Sequence, residues 1–163
     1  MSPEWHRLEP NVRGQIEQFQ DAAPVRLPDL ARALGVQVKA ATLAPGISGE
    51  IRPSPDGGSY VIRVNRHDPP KRQRFTVAHE LAHFLLHRDE IGSGIEDDVL
   101  YRSSLSDRRE QQANRLAADI LMPSPLLMEA QEAAEEKGVG DVVLYLAEQF
   151  GVSEAAMRIK TGR

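Results

Sequence analysis

Two histidines four residues apart flank a glutamate in the segment RFTVAHELAHFLLH, residues 74–87. His79, Glu80 and His83 form the pattern HExxH, which is typical of zinc-dependent hydrolases. Residues four apart lie on the same face of a helix, so the two imidazoles can bind one ion, with Zn–N distances of about 2.0–2.1 Å. Glu80 is then placed to take a proton from a metal-bound water, whose pKa zinc can lower to about 7. The alternative is a chance match, because so short a motif also occurs in unrelated sequences.

A zinc site needs a further ligand, and residues 107–123 offer one. Their apolar side chains recur at helical spacing, and Ser106 or Asp107 is a suitable N-cap. Glu110 lies in the first turns of this predicted helix. Together with the two histidines it would give three protein ligands and leave the fourth tetrahedral position for water, as in catalytic zinc sites. An ordinary solvated carboxylate is the competing interpretation of Glu110, and the spacing favours neither.

Both segments resemble the ImmA/IrrE family of zinc metallopeptidases, in which an RFTxAHELxHxLLH helix is followed by an ExxANxFAxxLLMP helix. This chain has RQRFTVAHELAHFLLH and EQQANRLAADILMP at the corresponding places. The resemblance extends upstream to GISGEIRPSPDGGSYVIRVNR and covers roughly residues 46–123. Ala82 stands where the family usually has glycine, and Leu116 stands where it usually has phenylalanine. The first exchange keeps a small residue and the second keeps an apolar one.

The resemblance implies that His79, His83 and Glu110 bind the metal and that Glu80 is the catalytic acid/base. The metal would be Zn²⁺, which Mn²⁺ could replace in vitro. The implied activity is that of a site-specific endopeptidase. Its implied substrate is a partner protein, typically a helix-turn-helix transcriptional repressor of a mobile element, a toxin-antitoxin system or a stress response. The rival interpretation is a non-catalytic module of the same fold that binds a repressor or a toxin.

The expected fold is a single α+β domain over residues 1–163, with a small antiparallel sheet packed on a helical group around a thermolysin-like minimal zincin core. The chain is long enough to bury such a core without disulfides, and it has no cysteine. A Pro-Asp-Gly-Gly turn predicts a hairpin whose second strand leads into the metal helix, so that an exposed sheet edge beside the zinc could pair with an extended peptide. The other predicted elements are helices at residues 10–23 and 28–34, a strand at 36–42, hairpin strands at 49–53 and 59–65, and C-terminal helices at 124–136, 141–151 and 153–159.

Residues 88–106 are polar and connect the two predicted ligand helices. Their acidic run at residues 96–98 predicts a solvated loop, and the alternative is a segment that lines the active-site cleft. In the second case Tyr101 could donate a hydrogen bond to the oxyanion of a tetrahedral intermediate. His87 lies about 12 Å along the helix axis from His79, which is too far to share one zinc. We expect His87 to interact with the helix C-terminus, with substrate contact as the second option.

The segment LAEQFGVSEAAMR near the C-terminus resembles a helix-turn-helix. DNA binding requires concentrated positive charge, but acidic and basic residues balance here, so direct DNA binding is not favoured. Six apolar residues are instead expected to pack these helices, which belong to residues 124–163, onto the preceding core. These residues are Leu144, Leu146, Ala147, Phe150, Val152 and Met157.

Composition narrows the classes of function. The chain has 20 basic and 24 acidic residues and a net charge of −4, which argues against a large nucleic-acid footprint. It has no apolar run of about 18 residues, and residues 1–25 lack the apolar region of a signal peptide. The sequence therefore predicts a cytoplasmic protein with no membrane partner.

Overall fold

Four strands form the sheet of the computed structural model, which describes residues 1–163. The strands are β1 (Val36–Ala41), β2 (Ile47–Pro53), β3 (Tyr60–Asn65) and β4 (Ile95–Asp98). Their spatial order is β1-β3-β2-β4. Helices pack against this sheet, so the predicted α+β class is confirmed.

The sheet is mixed, which corrects the prediction that it is antiparallel throughout. β2 is antiparallel to β3 and to β4, as the predicted hairpin requires, but β1 runs parallel to β3. The burial of β3 explains its central position, because Val61, Ile62 and Val64 are all buried. Consecutive buried residues are typical of a strand that is covered on both faces.

β3 is therefore not an exposed edge, contrary to the expectation from the hairpin. The edges are β1 and β4. β4 was not predicted, because its residues read as a polar loop. Its first residue, Ile95, is buried, and Asp97 points to the same side of the strand and is buried too. The edge that reaches the candidate site is thus β4.

Eight α-helices and one short 3-10 helix complete the fold. Proline stands in the first turn of several of them, where its missing N–H has no intrahelical partner to lose. α1 was not predicted, and α2 ends before the predicted residue 23, because the chain tightens into 3-10-type bonds at Phe19 and Gln20. The helices are α1 (Pro3–Arg7), α2 (Pro10–Glu17), α3 (Leu27–Ala33), α4 (Pro70–Leu86), the 3-10 helix (Arg88–Glu90), α5 (Asp107–Leu121), α6 (Ser124–Glu136), α7 (Val142–Phe150) and α8 (Glu154–Thr161).

α4 and α5 pack against each other and carry the candidate ligands. Around them lies one cluster of 31 buried apolar residues, which runs from Trp5 to Met157. β2 approaches α4 closely at Gly49, where a methyl group would collide with the Thr76 side chain and lie 3.4 Å from Glu80 Oε2. The absence of a side chain at Gly49 therefore lets the sheet contact the helix that carries the HExxH residues.

α7 and α8 pack onto the rest of the molecule largely as predicted. Leu144 is the exception, with 41% of its surface exposed. On α8, Lys160 forms a partly buried ion pair with Asp119 of α5, at 2.6 Å. No helix is both long enough and apolar enough to cross a membrane. The predicted packing residues that are buried are Leu146, Ala147, Phe150, Val152 and Met157.

Candidate metal centre

α4 places His79, Glu80 and His83 in the interior, where none of the three side chains is exposed. The Nε2 atoms of His79 and His83 lie 3.1 Å apart. Two nitrogen ligands of a tetrahedral zinc ion, each about 2.05 Å from it, would be about 3.3 Å apart. The histidine pair therefore has the spacing that one shared ion requires.

α5 brings Glu110 to the same point. Ser106 caps this helix by accepting a hydrogen bond from the Arg109 N–H, as predicted, and Glu110 follows one turn later. Its Oε1 lies 2.7 Å from His83 Nε2, and its Oε2 lies 3.3 Å from His79 Nε2. Glu110 is 5% exposed, and its carboxylate oxygens have no hydrogen-bond donor. The solvated-carboxylate interpretation of Glu110 is thus wrong, and a buried carboxylate beside two imidazole nitrogens fits a cation.

Asn114 fixes the orientation of the first histidine. His79 Nδ1 lies 2.8 Å from Asn114 Oδ1, an amide oxygen that can only accept a hydrogen bond. His79 Nδ1 is therefore the donor, and in the neutral ring the lone pair is on Nε2, which faces the cluster. Outer partners of this kind set the tautomer of metal-binding histidines. Asn114 was part of the quoted ExxAN motif, but its contact could not be derived from spacing.

A chain of hydrogen bonds orients the second histidine. The Arg109 guanidinium donates to Gln112 Oε1, which identifies that atom as the oxygen of the amide. The same oxygen lies 2.9 Å from His87 Nε2, so His87 donates from Nε2 and accepts at Nδ1. His83 Nδ1 lies 3.0 Å from His87 Nδ1 and must therefore donate to it. This leaves the lone pair of His83 on Nε2, at the cluster.

His87 therefore has neither of the two roles expected from the sequence. Its side chain bonds His83 and Gln112 and is 3% exposed, so it neither binds the last carbonyls of α4 nor lies where a substrate would contact it. It holds His83 in the tautomer that can bind a metal.

Replacing His87 with phenylalanine should therefore weaken zinc binding without removing any candidate ligand. We expect the zinc affinity to fall about 10- to 100-fold, the usual effect of losing an outer partner. Competition with a chelator measures it. His67→Phe is the matched control, because His67 is an exposed histidine whose hydrogen bonds go to Thr42 and Asn65 and not to the cluster. Equal affinity in His87→Phe and wild type would show that the relay has no influence on the metal.

Asp97 is a fourth member of the cluster, and the sequence did not predict it. One ligand atom each from His79, His83, Asp97 and Glu110 lie within 4.8 Å of one another. The predicted solvated loop is therefore wrong for Asp97, and the cleft-lining alternative describes it. The alternation of Ile95 with Asp97 was the available signal, but an aspartate is not expected to be buried without a partner.

Glu80 is buried, and neither of its carboxylate oxygens has a hydrogen-bond partner. Burial, followed by the negative charge of Asp97, raises the pKa of Glu80 well above its ordinary value. Burial also raises the pKa of Asp97. A carboxyl group with a raised pKa is a stronger base than an ordinary carboxylate, which suits a general acid/base.

The pKa values of His79 and Glu110 shift in opposite directions. Burial lowers the pKa of His79, but the neighbouring carboxylates of Asp97 and Glu110 outweigh this effect and raise it to about 9. Burial raises the pKa of Glu110, but the imidazoles of His79 and His83 beside its carboxylate outweigh that effect and lower it. Without a metal, the cluster thus holds a proton on His79 at neutral pH. A metal ion would have to displace that proton.

Tyr101 lies against the cluster. Its ring centroid is 4.8 Å from that of His79, and its hydroxyl is 3.1 Å from Thr76 Oγ1. It is the one residue other than glycine with a positive φ, at 57°. A bulky residue rarely adopts this conformation, so the surrounding structure holds Tyr101 in place. Tyr101 is therefore brought beside the candidate site, as the cleft-lining alternative required.

Comparison with known proteins identifies a family and relatives of this chain. A family model described as the IrrE N-terminal-like domain, of a peptidase family, matches residues 31–161. The radiation response metalloprotease IrrE of Deinococcus radiodurans is 42% identical over 73 residues, which are 44% of this chain and 22% of that protein. The protein of the same name from Deinococcus deserti is 39% identical over 77 residues, which are 44% of this chain and 26% of that protein. The matched segment thus spans only about a quarter of each relative.

A solved structure supports the fold. A Mycobacterium tuberculosis transcriptional regulator superposes with a TM-score of 0.57 over 91% of this chain and 45% of that one, at 22% identity. At this identity the likeness concerns the fold alone. The family model, in contrast, spans most of the chain and includes both helices that carry the candidate ligands. The chain therefore belongs to the peptidase family of the IrrE N-terminal-like domain.

Proposed function

We propose that the chain is a zinc-dependent endopeptidase in which His79, His83 and Glu110 bind the ion and Glu80 is the general acid/base. The observation that supports this proposal most strongly is that three candidate ligand side chains from α4 and α5 converge beside Glu80, a buried carboxyl group without a hydrogen-bond partner. Mn²⁺ could replace Zn²⁺ in vitro, because the ligand types alone do not select between them.

The protein residues divide the chemistry among them. When bound, the ion would polarise the scissile carbonyl and acidify a water molecule. Glu80 takes the proton from that water as it attacks the carbonyl carbon, and then gives it to the nitrogen of the leaving amine. The dry surroundings of Glu80 favour its neutral form, so it can hold the proton between these two steps.

Tyr101 is our candidate for the group that stabilises the oxyanion. Its hydroxyl hydrogen-bonds with Thr76 Oγ1 on α4, and its ring packs against His79. The ring of Phe75 also packs against that of Tyr101, with their centroids 5.2 Å apart. A hydroxyl held by such contacts needs little reorganisation when negative charge develops on the carbonyl oxygen.

The proposed substrate is an extended segment of a partner protein, specifically a linker or frayed segment of a helix-turn-helix transcriptional repressor. β4 is an edge strand that carries Asp97 into the cluster, and an extended peptide can add to such an edge by main-chain hydrogen bonds. A folded helix would first have to unfold locally. A repressor as substrate would also place the activity in the cytoplasm, and the name of the two relatives is consistent with a role in a stress response.

Direct DNA binding by α7 and α8 is not part of the proposal. The basic side chains of α8 and the C-terminus have acidic partners: Arg158 pairs with Glu154, Lys160 with Asp119, and Arg163 with Glu135. Such pairing leaves little free positive charge for phosphates.

The test combines metal analysis with cleavage of a candidate repressor. Elemental analysis of the zinc-reconstituted protein should find about one zinc per chain. Incubation with the repressor should then give two fragments from one dominant internal cut, which intact-mass spectrometry detects. A repressor that stays intact but binds wild type and Glu80→Gln equally would replace this proposal with the non-catalytic binding module.

A further inference from the structure

Asp97 is the buried ionisable group at the site to which the proposed function assigns no role. It is fully buried, and neither carboxylate oxygen has a hydrogen-bond partner. Oδ1 lies 3.4 Å from His79 Nε2, and Oδ2 lies 3.7 Å from His83 Nε2. These are the same two nitrogens that face Glu110. A buried carboxylate without a donor is costly unless a cation neutralises it.

We propose that Asp97 is a fourth protein ligand of the ion that His79, His83 and Glu110 bind, and that it closes the site in this conformation. The inference rests on the metal site proposed above. Four protein ligands around a tetrahedral ion are typical of structural zinc sites, whereas hydrolytic sites keep one position for water. The conformation seen here is then a latent one, and Asp97 has to leave before a water molecule can be activated.

The position of Asp97 on a short edge strand favours such a movement. β4 has four residues, pairs with β2 on one side only and has an irregular register opposite Ile47 and Gly49. The residues that follow it, Val99 and Leu100, are 40% and 65% exposed. A short strand that is paired on one side only, with an irregular ladder, has fewer ladder hydrogen bonds to lose on opening than a central strand has.

A different role for Asp97 predicts different results. The carboxylate could accept a hydrogen bond from the nucleophilic water and position it. In that case its removal would lower the rate of hydrolysis but leave the number of protein ligands, and therefore the metal affinity, nearly unchanged. A closing ligand, in contrast, contributes to affinity and keeps water away from the metal.

The experiment compares wild type with Asp97→Ala and with the nearly isosteric Asp97→Asn. Glu96→Gln is the matched control, because Glu96 precedes Asp97 on the same strand and is exposed. Zinc affinity is measured by competition with a chelator. Cobalt-substituted protein is then titrated from acidic to basic pH, and its visible d–d absorption is recorded. Circular dichroism establishes that each variant is folded.

We expect the zinc affinity of Asp97→Ala to fall by more than the roughly 10- to 100-fold that an outer partner contributes. We also expect its cobalt spectrum to change with pH, because a metal-bound water that ionises near neutral pH has entered. The spectra of wild type and Glu96→Gln should not change in this range. Asp97→Asn should lie between wild type and Asp97→Ala in affinity.

Two results would overturn the inference, and they are distinguishable. Unchanged zinc affinity in both Asp97 variants, together with a pH-dependent cobalt spectrum in wild type, would exclude Asp97 as a ligand while leaving the three-ligand site intact. A wild-type chain that binds neither zinc nor cobalt would overturn the proposed metal site itself, and this inference with it.

Discussion

Glu80→Gln is expected to abolish peptide hydrolysis while the chain keeps its zinc. Glutamine has the shape of glutamate but cannot take a proton from water, so the general base is lost and the candidate ligands His79, His83 and Glu110 remain. We expect a loss of about 10²- to 10⁴-fold in the rate of cleavage, the usual contribution of general acid/base catalysis. Intact-mass spectrometry of the repressor substrate measures the rate, and elemental analysis measures the zinc.

Glu129→Gln is the control for this substitution, because Glu129 is an exposed glutamate on α6, away from the candidate site. It should cleave at the wild-type rate. Glu80→Gln is also expected to be at least as stable as wild type without metal, since it replaces an ionisable group, whose charge burial and Asp97 disfavour, with a neutral amide. If Glu80→Gln cleaves as fast as wild type, Glu80 is not the base.

The second large effect concerns retention of the metal. Glu110→Ala removes a charged ligand from α5 and leaves the two histidines of α4, so zinc should be lost on dialysis, and cleavage with it. We expect the zinc affinity to fall by at least about 100-fold, beyond the range for outer partners. Elemental analysis after dialysis, with wild type in parallel, measures the loss.

Glu110→Gln serves as the second variant, because it nearly keeps the volume of the side chain and so separates loss of the charge from loss of packing. It should retain less zinc than wild type and more than Glu110→Ala. Full zinc occupancy in both variants at wild-type affinity would exclude Glu110 as a ligand.

The part of the site on α4 could be predicted because it is local. His79 and His83 converge through the helical repeat alone, because residues four apart lie on the same face of a helix. Helical spacing placed Glu110 on a second helix but did not decide its role, and the resemblance to the ImmA/IrrE family implied that it is a ligand. Its burial depends on how α5 packs against α4, and spacing cannot supply that contact.

The outer parts of the site could not be predicted, because they depend on contacts between elements that are distant in the sequence. His87 lies in the quoted motif, but its role depends on Gln112 across the α4–α5 interface. Asp97 required both a strand in a polar segment and the pairing of that strand with β2. The order of the strands could not be predicted from the alternation of apolar and polar residues either. This alternation predicts that β1 is a strand, but not that it pairs parallel to β3.

The close approach of β2 to α4 at Gly49 has a consequence for the acidity of Glu80. The Thr76 methyl group of α4 occupies the space into which a side chain at residue 49 would point, so β2 lies directly against α4 beside the fully buried Glu80. A bulkier residue 49 would push the strand away from Thr76 and open a gap that water can enter. Hydration would then bring the pKa of Glu80 back toward that of an ordinary glutamate. Glycine at residue 49, which has only a hydrogen atom as its side chain, thus helps to keep the proton affinity of Glu80 high, although it contacts neither the proposed metal nor the substrate.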